Sequence, residues 1–160
     1  MRIMRSQQGS MIIEALIALV LFSFGILGLI GLQAAAINTN VDTGYRVEAN
    51  NFANRLFSEI QANIRRDTMV NYNADLASFD HQPTGGDTDC AFGGADSANA
   101  IITTWLADLQ AAQALPQASG QVRVIPAVAP SRVNQVRIVV CWQQPGLSVP
   151  RRHVLMGTVT

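Results

Sequence analysis

Apolar residues run almost unbroken from Met11 to Ala36, and the pattern then changes character. As a helix this 26-residue run spans about 39 Å, enough to cross a bilayer. Beyond it, Ile37, Val41, Tyr45, Phe52, Leu56, Ile60 and Ile64 fall at helical spacing. Asn38, Asp42, Arg46, Asn50, Asn54, Glu59 and Arg66 lie between them, and Asp42 with Arg46 forms a favourable pair one turn apart. One long helix is therefore expected to about residue 65, apolar all round at first and amphipathic later, its second half needing cover for an apolar stripe. Residues 67–98 are rich in Asp, Asn, Gly and Ser and read as a long loop, with at most a short helical turn near Leu76–Phe79. Ala98–Ala114 reads as a helix with Ile101, Ile102, Trp105, Leu106 and Leu109 on one face, ended by Pro116. Gln121–Ile125 reads as a strand, broken by Pro126 and Pro130.

Asn134–Trp142 is the clearest strand. Val136, Ile138, Val140 and Trp142 alternate with Arg137, Val139 and Cys141, so the first set should face the long helix and Cys141 the other side. Pro145-Gly146 marks a turn, and Val154–Val159 reads as a last strand antiparallel to its predecessor. The fold class expected is α+β: a long N-terminal helix whose outer half packs on a small antiparallel sheet. The organisation read from the pattern is a leader over residues 1–9, an apolar helix over 10–36, its amphipathic continuation over 37–66 and a globular region over 67–160.

Composition narrows the function. All eleven basic residues of the 160 are arginine, and the formal net charge is zero. Seven acids fall from Asp67 to Asp108, followed by five arginines from Arg123 to Arg152 without an acid between them. Such segregation suits complementarity with another subunit; the plainer account is a solvated acidic loop beside a basic sheet. With no basic excess and no arginine patch interleaved with aromatics, direct nucleic-acid binding is not expected. Gly85-Gly86-Asp87-Thr88-Asp89 and Gly93-Gly94-Ala95-Asp96 have the look of calcium loops but lack the EF-hand spacing and its terminal glutamate, so turn chemistry is the reading and no metal is expected. His81 and His153 sit in no metal or catalytic pattern and are expected to be exposed. No nucleophile elbow or phosphate loop occurs, and neither an enzyme nor a cofactor is implied. Trp105 and Trp142 read as core. The two cysteines, Cys90 and Cys141, form no Cys-x-x-Cys pair; in a chain routed out of the cytoplasm an even count suggests a disulfide, here with forced connectivity, which would strap the acidic loop to the sheet.

The remaining chemistry is at the N-terminus. Residues 1–9 carry Arg2 and Arg5 and no acid, which keeps that flank cytoplasmic and places the bulk outside. A secretory signal cut near Ala34-Ala35-Ala36 is the competing reading, but the apolar run is longer than a usual signal core and Glu14 interrupts it. A carboxylate there costs about 2.5–3.5 kcal/mol on insertion scales, so it calls for a partner, unless it snorkels to the nearby interface. Gly25, Gly28 and Gly31 recur every third residue, either for close helix packing or as a segment able to unwind locally.

The stretch Gln8-Gly9-Ser10-Met11-Ile12-Ile13-Glu14 resembles the N-terminal signature of type IV pilins and type II secretion pseudopilins. The resemblance implies cleavage after Gly9 by the prepilin peptidase and methylation of the new N-terminus at Ser10, where the family usually has phenylalanine. It further implies docking of Glu14 onto the N-terminal amine of a neighbouring subunit. The family's helix-breaking residue has its counterpart here in glycines. Further on, Cys90, Trp105-Leu106-Ala107-Asp108-Leu109, Leu115-Pro116, Gly120 and Ile138-Val139-Val140-Cys141-Trp142 are similar to the PilV-type minor pilins. That resemblance implies a subunit held in the bacterial inner membrane with its C-terminal region in the periplasm. It would then join other minor pilins and the major pilin at the start or tip of a type IV pilus. A minor pseudopilin of type II secretion, or an adhesion module displayed on a pilus through its acidic loop, are the alternatives.

Overall fold

The structure, a computed structural model, describes residues 8–86, 88–127 and 133–159, with the side chains of 8–10, 34 and 38 left aside. Most of the leader, Asp87, Pro130 and Arg132 thus lie outside the described residues. The elements in order are α1 (Gln8–Asn63), α2 (Met69–Ser78), β1 (Thr84–Gly85), β2 (Phe92–Gly93), α3 (Ala100–Ala111), β3 (Ser119–Ile125), β4 (Asn134–Trp142) and β5 (Arg151–Val159). The chain divides into two units, Met1–Val41 and Asp42–Thr160.

In the first unit every described side chain from Met11 to Gln33 is exposed. The α1 segment is long and apolar enough to be a single membrane span. Its polar side chains turn inward onto the backbone. Ser23 Oγ donates to the Leu19 carbonyl at 2.7 Å, and Thr39 Oγ1 to that of Ala35 at 3.1 Å. A hydroxyl satisfied within its own helix needs no water, which suits an apolar solvent.

The second unit is an α+β domain with one core. Strand order is β3-β4-β5, antiparallel throughout, and a two-stranded ribbon pairs β1 with β2. The β4 bounds agree with the sequence reading, and Val136, Ile138, Val140 and Trp142 all enter the core against α1 and α3. Fully burying a side chain of this size is worth about 1.5–3 kcal/mol each. Trp105 of α3 sits at the centre of this core and donates its indole N–H to the Phe52 carbonyl of α1 at 3.0 Å. Gly120 and Gly157 keep the sheet close to the helices: a side chain at Gly120 would meet the Trp105 ring, and one at Gly157 the Phe57 ring.

Several expectations are corrected. The helix ends at Asn63 rather than near 65 or 66, and Ile64 completes the core just beyond it. Its buried stripe is Ala49, Ala53, Leu56 and Ile60, whereas Ile37 and Val41 are exposed. Residues 67–98 are not one loop. Helix α2 occupies ten of them, with the Thr68 hydroxyl accepting from the Asn71 N–H as its cap and Tyr72 and Leu76 buried one turn apart. Helix α3 runs from Ala100 to Ala111, shorter than expected. Asn99 caps its start, and Ala112 already has an extended backbone, four residues ahead of Pro116. The strands β3 and β5 begin at Ser119 and Arg151, earlier than their apolar alternation suggested.

Candidate assembly and docking residues

Gly9 and Ser10 lie in the first turns of α1, and Glu14 follows one turn later. Glu14 is exposed and shares a helix face with Ile17, Ala18 and Leu21. The helix runs without a break through Gly25, Gly28 and Gly31, and a side chain built at any of the three would meet nothing within 4 Å. Among the described residues nothing therefore uses those hydrogen atoms in place of side chains. The room they leave is available to another surface.

Cys90 and Cys141 are joined by a disulfide, with Cα atoms 6.2 Å apart. Cys141 points away from α1, as the alternation in β4 requires, so the bond fastens the segment from Gln82 to Phe92 across the outer face of the sheet. Closing 51 residues stabilises by about 4 kcal/mol on the chain-entropy model. A second fastening is polar. Gln121 on β3 is fully buried, and its side-chain N–H groups reach the carbonyls of Gln82 at 2.7 Å, Thr84 at 3.1 Å and Gly85 at 3.2 Å. Gly85 and Gly86 both have positive φ, and a side chain on Gly86 would strike the Phe92 ring. The glycines thus build a tight turn held against Gln121. This strap is the segment that read as an acidic loop.

The acids themselves are mostly engaged. Asp75 takes a bidentate pair from Arg65, at 2.9 and 2.7 Å, which holds its carboxyl down at about 2. Arg55 bridges Glu59 at 3.1 Å and Asp108 at 2.9 Å, and Arg46 binds Asp42 at 2.8 Å. Asp67 accepts from the Asn71 amide and the Thr68 N–H, bonds that lower its carboxyl below the usual range. Asp80 accepts from the Val124 N–H at 2.6 Å, and Asp96 from the Gln82 amide at 2.9 Å. Of the acids between Asp67 and Asp108, Asp75 and Asp108 are thus in ion pairs, and Asp67, Asp80 and Asp96 accept local hydrogen bonds. The side chains of Arg123, Arg151 and Arg152, by contrast, make no hydrogen bond or ion pair among the described residues.

His81 corrects a further expectation, for it is buried. Its backbone exchanges two hydrogen bonds with Val122, at 2.9 and 3.1 Å, and its Nδ1 accepts from the Ser97 N–H at 3.2 Å. Burial pushes its pKa below 6.5, against a small opposing pull from Asp96. No alternation in the sequence marks this position. The signal that could have found it is the Asp80-His81 pair lying opposite the alternate residues Val122 and Val124 of a strand. Gln121 was missed for the same reason, since a glutamine inside a strand reads as solvent-facing. Among the described residues no group of three or more His, Cys, Asp or Glu is placed to hold a metal ion. No protein-family model, curated protein or solved structure matches the chain.

Proposed function

We propose that this chain is a minor pilin of the PilV type, processed after Gly9 by prepilin peptidase and built into a type IV pilus. The observation that carries the reading is Gly9-Ser10 followed by Glu14 at the head of an apolar helix whose described side chains from Met11 to Gln33 are all exposed. A helix of that kind needs an apolar solvent first and other helices afterwards. On this reading the subunit waits in the inner membrane with its folded domain in the periplasm. Cleavage frees the amine of Ser10, where methylation takes place. In the filament Glu14 meets the N-terminal amine of a neighbour, and leaving either charge without the other among packed helices is strongly destabilising. The open ground over Gly25, Gly28 and Gly31 lets adjacent helices approach, or lets the segment unwind as it enters the filament. The folded domain is displayed at the start or tip of the fibre among other minor pilins and the major pilin. The chain is then the substrate of an enzyme rather than an enzyme.

Intact mass of the protein from cells with and without the peptidase tests this. Peptidase-dependent loss of residues 1–9 is the expected result, with one added methyl on Ser10. An uncut chain in both strains would reduce the segment to an ordinary anchor, and a cut near Ala36 would make the domain a secreted one.

A further inference from the structure

The two edges of the main sheet are finished differently. At the β3 edge, Val122 exchanges both backbone bonds with His81, and the Val124 N–H is taken by the Asp80 carboxylate. That edge is closed by the chain itself. These bonds also fix which peptide groups point where. Val122 turns its N–H and C=O away from β4, so its partner Ile138 turns toward β5 and pairs there with Leu155. The peptide groups of Arg152, Val154, Met156 and Thr158 consequently point out of the β5 edge. Among the described residues only the Thr158 carbonyl finds a partner there, in the Gln61 amide at 3.5 Å. Strand β5 is nine residues long, in unbroken register, with no proline. Such an edge is a template for another strand unless something covers or blunts it.

The side chains along that edge state what would fit. On the outer face of the sheet β5 presents Arg152, Val154, Met156 and Thr158, as the core-facing positions of β4 require. Val154 is 37% exposed and Met156 58%. Arg152 has no ion pair, and neither has Arg151 beside it or Arg123 two strands away. The outer-face positions of all three strands contain no acid. Charges on an edge can serve only to repel other strands. Here they stand at one end, and the stretch beyond them is apolar. None of the outer-face positions of β5 is aromatic, so the edge offers no ring of its own to stack a base, which disfavours a nucleic acid.

We propose that β5 accepts an added strand from another protein, an extended segment with an acid opposite Arg152 and apolar residues opposite Val154 and Met156. Main-chain bonds to the edge would give affinity, and the Arg152 pairing would fix register and direction. The inference does not depend on the filament reading, since it concerns the folded domain alone.

The test uses the whole chain in detergent micelles, isotope-labelled for amide spectra, and the peptide acetyl-Thr-Thr-Val-Thr-Val-Thr-Asp-Glu-amide, written antiparallel to Thr158–Arg151. A control peptide ends in Lys-Lys. The expected result is selective perturbation of the Arg152, Val154 and Met156 amides by the acidic peptide, weakened by salt. Arg152→Glu should weaken that binding about tenfold and transfer preference to the lysine peptide. Arg152 is exposed, so the variant keeps its fold, and its unperturbed core amides check this. No perturbation at β5, equal binding of both peptides, or a response confined to β3 would each overturn the proposal.

Discussion

From Met11 to Leu32, α1 leaves its large apolar side chains exposed; from Ala49 to Ile60, the same element buries a stripe half made of alanine. The greasier half is the one without partners. Hydrophobicity therefore does not locate the core of this protein. The folded domain rests on the part of the helix where small residues let Trp105, Val140 and Trp142 come close, while the strongly apolar part awaits a different solvent. A contact map of the single chain records one kind of demand and leaves the other unmet.

Three measurements would break or sharpen that contrast. The largest effect is expected from Trp105→Ala. It empties the centre of the core and removes the indole bond to the Phe52 carbonyl, so chemical denaturation should record a loss of about 3–5 kcal/mol. A loss under about 1 kcal/mol would mean that the domain is held chiefly by its disulfide. A smaller effect is expected from pH. Burial lowers the pKa values of His81 and His153 below 6.5, Arg46 adding to the effect at His153. The fold thus favours the neutral rings. Their contribution is complete above 6.5 and is lost as pH falls through that value toward their folded pKa values. The melting temperature should be level above pH 7 and decline as pH falls below 6.5, and the double variant His81→Gln, His153→Gln should flatten the decline. A further drop between pH 3.8 and about 2 belongs to Asp75, with Asp42 and Asp67 adding to it, and should survive that double substitution. The smallest effect is expected from Leu21→Ala, which removes a large side chain from the exposed half. Domain stability in micelles should change by less than about 0.5 kcal/mol. A change like that of Trp105→Ala would show the apolar half packing on the domain after all.

Much of this architecture was legible where one period dominates. Strand β4 alternates cleanly because one face meets α1, and its bounds could be read directly. The apolar run of α1 was equally plain. What escaped detection depends on weak or distant signals. Ala49 and Ala53 carry little hydrophobic weight, so the apolar pattern points instead to Ile37 and Val41, which are exposed. Helix α2 has only Tyr72 and Leu76 to bury, too few to stand out among asparagines and aspartates. The acids paired with Arg55 and Arg65 are engaged through contacts that the fold, not the spacing, creates. Glu14 and the glycines at 25, 28 and 31 were legible as candidates for a different reason: each is out of place in an anchor, and none of them has a partner among the described residues.

The Cys90–Cys141 bond has a mechanical consequence. Tension applied along the chain passes through the sulfurs and bypasses the chain between them, a sequence separation of 51. An oxidised domain pulled to rupture should extend by about 170–180 Å less than a reduced one. Helix α3 and strand β3 would stay slack inside a covalent ring while the rest of the domain bears the load. That ring is a stop on how far the domain can be drawn out.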